Sequence, residues 1–157
     1  MEQLKKIKLI VSDFDGVMTN NKVLVDEDGK EAVFCNRADG LAVEILKKQT
    51  DIEMLVLSKE QNKVVQARCD KLKIKCVQST NNKFQILQDE IKKRNLKNEQ
   101  VCFVGNDIND IECLKEVGFA AVSNDAYPET KKVAHYIAKK GGGEGVIREI
   151  IDLILKK

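Results

Sequence analysis

The sequence contains no tryptophan, one proline and one histidine, and its fully apolar runs are only a few residues long. Runs that short exclude a membrane-spanning helix, and an N-terminus reading MEQLKKIKLIVSD does not form a secretory signal. Excess charge of one sign is also lacking: 27 Lys and Arg against 25 Asp and Glu leave a net +2. Such a balance gives no general pull towards nucleic acid or an acidic membrane, and neither partner is expected. With one histidine, His135, and no CxxC pair, a zinc site lacks ligands, and His135, with no carboxylate or cysteine partner at ligand spacing, is expected to be a structural or surface residue rather than a base. The five cysteines form an odd set, which predicts reduced thiols and a cytoplasmic location. No nucleotide-binding loop is present, because GGGEG lacks both a Walker lysine and dinucleotide spacing. The chain of 157 residues, 43% of them hydrophobic, is expected to form one compact soluble domain over residues 1–157.

Apolar β-rich runs at 7–12, 54–57, 74–77, 101–104 and 119–122 alternate with helical periodicity at 62–72, 84–91 and 108–117. Asp39 opens a further helix with Leu41, Ile45 and Leu46 on one face, and a last helix spans about 146–155. Strands separated by helices need crossover connections, so the expected fold is a doubly wound α/β domain with a mostly parallel sheet and helices on both faces. The pentapeptide DEDGK between Val25 and Glu31 predicts a small β-hairpin after the first strand. Pro128 falls in a loop or at a helix start, and the KKGGGEG stretch at 139–145 is expected to be a flexible connection.

Two apolar strands end in carboxylates: Asp13-Phe14-Asp15-Gly16 follows the first, and Gly105-Asn106-Asp107-Ile108-Asn109-Asp110 follows the fourth. Both segments belong on the carboxyl edge of one sheet, where gathered like charges require a cation. Oxygen-rich, thiol-free groups suit Mg²⁺, and metal-dependent phosphate chemistry follows: one Asp attacks phosphorus and the other protonates the leaving oxygen.

The segment Asp13-Phe14-Asp15-Gly16-Val17-Met18-Thr19 resembles the DxDGxxT motif of the haloacid dehalogenase superfamily. Ser58 after the second apolar strand, Lys83 before a helix and the GNDIND loop follow in the superfamily's order, so the resemblance covers nearly the whole chain. It implies that Asp13 is the nucleophile and a Mg²⁺ ligand, and that Asp15 is the general acid and base with its main-chain carbonyl on the metal. Ser58 and Lys83 then hold the transferring phosphoryl group. One position departs from the pattern: active relatives commonly carry GDD or GDG where this chain has Asn106. An amide oxygen still ligates but brings no charge, so either Asn106 or Asp107 completes the metal site, and Asp110 matches the acid that steers the lysine or the metal's waters.

Only about 23 residues separate Thr19 from Val43, too few for the cap domain that most of the superfamily inserts. The short chain, the hairpin, Arg37-Ala38-Asp39-Gly40 and the late GGEGVIRE run resemble the capless 2-keto-3-deoxy sugar acid phosphatases. That group forms tetramers in which a neighbouring subunit covers the site. Ser58-Lys59-Glu60, with Arg68 and Lys71 on the next helix, resembles its nine-carbon branch, acting on sialic acid or KDN 9-phosphates, more than the 3-deoxy-D-manno-octulosonate 8-phosphate branch. The resemblance assigns Thr19, Glu60, Arg68, Lys71 and Arg148 to substrate binding, Arg148 by reaching an adjacent site. FCNRADG and GND also resemble the phosphatase-like module fused to some CMP-sialic acid synthetases, an assembly element of little or no activity, and Asn106 keeps that alternative open.

Overall fold

A computed structural model describes residues 2–78 and 81–156. Strands β1 (Leu9–Ser12), β4 (Glu53–Leu57), β5 (Lys75–Val77), β6 (Val101–Gly105), β7 (Phe119–Val122) and β8 (Tyr136–Ile137) form a six-stranded sheet ordered β5-β4-β1-β6-β7-β8. Every pairing in it is parallel. The remaining strands, β2 (Leu24–Val25) and β3 (Glu31–Ala32), make the antiparallel hairpin that the DEDGK turn predicts.

Helices α1 (Arg37–Gln49), α2 (Lys63–Leu72) and α6 (Val146–Leu155) cover one face, while α3 (Lys83–Lys93) and α4 (Ile111–Glu116) cover the other. Alternate strand residues divide between the two cores: Ile10, Val56 and Cys102 meet α1, α2 and α6, whereas Val11, Leu57 and Phe103 meet α3 and α4. Strands β1, β6 and β7 are buried throughout, which explains why they read as continuous apolar runs rather than alternating ones. In α6, Val146, Ile147, Ile150, Ile151 and Ile154 recur on one buried face, and that face packs on α1. The short α5 (Pro128–Lys131) opens on Pro128, whose missing N–H is harmless in the first turn.

Strand order reverses where β4 and β6 flank β1, so the chain leaves β1 and β6 side by side at the sheet's carboxyl edge. Ligand sites of open α/β sheets form at such a switch point. Two local expectations shift. The first helix begins at Arg37, because the Asn36 side chain caps it by accepting the Ala38 N–H at 2.9 Å. The stretch expected as one helix over 108–117 divides into a 3-10 turn at 108–110 and α4. His135 is structural: its Nδ1 accepts the Ala120 N–H at 2.9 Å.

Away from the site, the buried Glu90 carboxylate receives Lys75 at 2.6 Å, Arg94 at 2.7 Å and Lys93 at 3.0 Å. Burial pushes this acid up, but the hydrogen bonds from Lys75, Arg94 and Lys93 outweigh it and hold it at about 2. A carboxylate depressed below its unfolded value of 4.5 contributes stability that is complete above that value and is lost as pH falls towards about 2. Glu90→Gln is therefore expected to lower stability by about 1–2 kcal/mol at neutral pH, after allowing for solvent screening of the exposed lysines. Urea midpoints taken from neutral pH down towards pH 2 test this: the gap between variant and parent should close on acidification.

Candidate active site

Asp13 is the first residue beyond β1, and its N–H bonds the carbonyl of Val104 in β6 at 2.8 Å, which locks the two strand ends together. Its Oδ1 receives the Phe14 N–H at 2.7 Å and Lys83 Nζ at 2.9 Å. Lys83, the first residue of α3, also reaches Asp110 Oδ1 at 2.8 Å. Asp110 is fully buried, and its other oxygen accepts the Asn106 N–H at 2.9 Å. A buried lysine thus lies between two buried carboxylates, one from the residue after β1 and one from the 3-10 turn that follows β6.

Burial, with the Asp110 charge behind it, pushes the Asp13 carboxyl up to about 7, against the opposing pull of Lys83. Burial alone would lower Lys83, yet the charges of Asp13 and Asp110 together raise it, so the ammonium form is secure. Asp15 is half-buried and raised, chiefly by burial; the Thr19 hydroxyl donates to its Oδ1 at 3.0 Å and opposes the shift, while the Glu60 charge adds to it. A carboxyl raised by its surroundings is suited to hold a proton for a leaving group.

A cavity of about 140 Å³ is lined by Asp13, Asp15, Ser58, Lys83, Asn106 and Asp107, joined by Asn21, Lys59, Glu60 and Asn109. Six positions singled out from sequence as catalytic or metal-binding therefore meet in one place. Among the described residues, no three His, Cys, Asp or Glu side chains are arranged to hold a metal ion. The donor set must then use amide or main-chain oxygen, and one such oxygen is in place: Asn106 Oδ1 is buried and has no hydrogen-bond partner. An orphaned buried amide oxygen beside Asp13 fits a hard divalent cation. Asp107 borders the same cavity but spends Oδ1 on the Ile108 N–H at 2.6 Å. Gly16 is required here: its φ is +80°, and a Cβ would fall 1.9 Å from Asn106 Nδ2.

The residues assigned to substrate binding do not all converge. Glu60 borders the catalytic cavity and an adjoining one of about 230 Å³ under the hairpin, lined also by Asn21, Glu31 and Val33. Thr19 is fully buried and does not line either; its hydroxyl serves Asp15, Gly16 and Asn21, so it shapes the loop. Arg68 and Lys71 line a separate groove between α1 and α2 with Arg37 and Lys47, and the Arg68 guanidinium donates to the Asn36 carbonyl at 3.0 Å. Arg148 pairs with Asp152 at 2.8 Å along α6. Sequence reading missed Asn21 and Asn109 as cavity residues. Asn21 has a left-handed backbone, φ 62°, and the Asn20-Asn21 pair after Thr19 was the available signal.

A profile of haloacid dehalogenase-like hydrolases matches residues 5–150. The chain belongs to that family. Among curated relatives, the 3-deoxy-D-manno-octulosonate 8-phosphate phosphatase KdsC of Escherichia coli strain B is 30% identical over 156 residues, covering 99% of this chain and 82% of the relative. A HAD family hydrolase from Streptomyces avermitilis MA-4680 superposes with a TM-score of 0.93 at 39% identity, over 97% of this chain and 87% of its own. The octulosonate 8-phosphate phosphatase of Moraxella catarrhalis, solved with magnesium, phosphate and KDO, gives 0.95 at 28% identity, over 99% and 89%. The capless hydrolase group and the phosphatase class expected from the sequence agree with these relatives.

Proposed function

We propose that the chain is a Mg²⁺-dependent phosphatase that removes the terminal phosphate of a 2-keto-3-deoxy sugar acid through an aspartyl-phosphate. The observation that carries this reading is the Asp13–Lys83–Asp110 bridge beneath a cavity that also holds Asp15, Ser58 and the unpartnered oxygen of Asn106. Lys83 and the Ser58 hydroxyl hold the phosphoryl oxygens, and the Asp13 carboxylate attacks phosphorus. As the ester P–O bond breaks, the leaving oxygen takes the Asp15 proton and departs as an alcohol. Water then attacks the aspartyl-phosphate, gives its proton back to Asp15 and releases inorganic phosphate. Asp13, the main-chain carbonyl of Asp15 and Asn106 Oδ1 would hold Mg²⁺, which when bound supplies positive charge to the phosphoryl oxygens.

The finer reading is a nine-carbon substrate of sialic acid or KDN type. The Ser58-Lys59-Glu60 resemblance motivates it, and Glu60 borders both cavities, where a carboxylate accepts hydrogen bonds from sugar hydroxyls of either substrate. The eight-carbon octulosonate 8-phosphate is the second reading, supported by the names of the relatives. A phosphate-release assay with Mg²⁺ over both sugar acid phosphates and an aryl phosphate decides: the nine-carbon compound should be fastest, and faster octulosonate turnover reverses the branch. Silence on all three would favour the remaining reading, an assembly role beside a CMP-sialic acid synthetase, to which Asn106 lends support. The apolar residues exposed on and beside the hairpin, Val23, Leu24, Val25 and Phe34, suit a neighbouring subunit that covers the site in a homotetramer.

Asn106→Asp restores the missing charge at the metal position. Isothermal titration with Mg²⁺ is expected to show about tenfold tighter binding, the order of a single added charge–charge interaction at a partly desolvated site. Unchanged affinity would move the ligand to Asp107.

A further inference from the structure

The glycine run expected to be a flexible connection is pressed against the catalytic loop. A Cβ on Gly142 would lie 2.4 Å from the Gly16 carbonyl and 2.6 Å from that of Thr19, and the Gly143 N–H bonds the Val17 carbonyl at 3.0 Å. Nothing bulkier than glycine permits that approach. Asp125 Oδ1 accepts the Gly142 N–H at 2.9 Å, and two side chains at the start of α1 act from behind, Asn36 on the run itself and Asp39 on the helix that follows it. Asn36 Nδ2 donates to the Gly143 carbonyl at 3.3 Å, and Asp39 Oδ1 accepts the Arg148 N–H of α6 at 2.8 Å.

Asp39 is 1% exposed and 109 residues away in sequence from the group it binds, and its second oxygen is buried without a partner. The first turn of α6 has no cap of its own, because its N-cap residue is Gly145 at φ 102°. A carboxylate from another helix therefore caps the start of α6, the element into which residues 141–145 lead. On the far side of the run, Thr19 donates to Asp15 at 3.0 Å.

We propose that Asp39 is a positioning residue for the general acid: by capping α6 it seats Gly142 and Gly143 on the Gly16–Thr19 loop, and that loop orients Asp15. This rests on the reading of Asp15 as the proton donor. It assigns a task to the RADG segment and to the glycine run, neither of which lines the catalytic cavity.

The test compares two esters that differ in their need for a proton. An alkyl sugar acid phosphate releases a poor leaving group and depends on the donor, whereas p-nitrophenyl phosphate releases a stable phenolate and does not. Asp39→Ala, which removes the oxygen that accepts the Arg148 N–H, is expected to lower kcat on the alkyl ester by about tenfold or more and on the aryl ester by less than about threefold, within the range general acids contribute. Asp15→Asn should show the same selectivity, more strongly. Because Asp39→Ala also disturbs a buried cap, Asn36→Ala, which removes a separate side-chain tie to the run together with the cap of α1, is measured beside it with a thermal melt of each; it should repeat the selectivity. Equal losses on both esters, or none, in Asp39→Ala and Asn36→Ala while Asp15→Asn is selective would overturn the positioning role alone. Absence of selectivity in Asp15→Asn would overturn the general-acid reading together with it.

Discussion

Asp13→Asn is expected to cut phosphate release by more than about 10³-fold while the protein stays folded, because an amide oxygen cannot accept the phosphoryl group. The structure gives reasons for the second half of that expectation. Asn keeps an Oδ1 for the Phe14 N–H, and Lys83 keeps Asp110 as its counterion. What disappears is a carboxylate that burial and the Asp110 charge already push up to about 7, so its charged form is costly in the metal-free fold. The melting temperature without Mg²⁺ should therefore hold steady or rise as turnover vanishes. Steady-state phosphate release and thermal denaturation on the same preparation check both halves. Retained turnover would remove the aspartyl-phosphate mechanism; a collapsed melt would show that Asp13 holds the strand ends together by its charge.

The catalytic cluster was legible because its signals are local. Buried parallel strands read as short apolar runs, and their carboxyl ends are marked where the apolar run stops at Asp13, Ser58 and Asn106. Once the strands are known to be parallel, those ends share one edge, so residues 45 and 93 positions beyond Asp13 meet it without further information. The contacts that sequence did not disclose are those between helices. Periodicity tells which face of α2 is apolar but not what the opposite face meets, so Arg68 and Lys71 were assigned to the substrate and line the groove against α1. Asp39 read as the residue that opens a helix; that it reaches α6 follows from the packing of α1 on α6, which no local pattern encodes. The glycines at 141–143 read as a flexible link because small residues signal freedom and close approach alike, and only the neighbouring chain distinguishes them.

Lys83→Met tests the same cluster through stability. Methionine matches the length of the lysine stem but leaves Asp13 and Asp110 facing each other with no cation, in a place where the side chains of Lys83, Asp13 and Asp110 are 4%, 8% and 0% exposed. Removing one partner of a buried ionic group typically costs about 3–5 kcal/mol, far more than an exposed pair would. Turnover should fall with it, since the phosphoryl group loses its cationic holder. Two losses with one cause are separated by a second substitution. In Lys83→Met/Asp110→Asn the like-charge repulsion is gone, and an amide oxygen at position 110 can still accept the Asn106 N–H. Chemical denaturation of the four proteins in this cycle should show the double variant recovering a large share of the stability lost by Lys83→Met, a strongly non-additive result. Its turnover should stay low, because no ammonium has returned. Additive stabilities would mean that Lys83 holds α3 to the sheet by packing alone, and recovered turnover would mean that its charge acts only on Asp110.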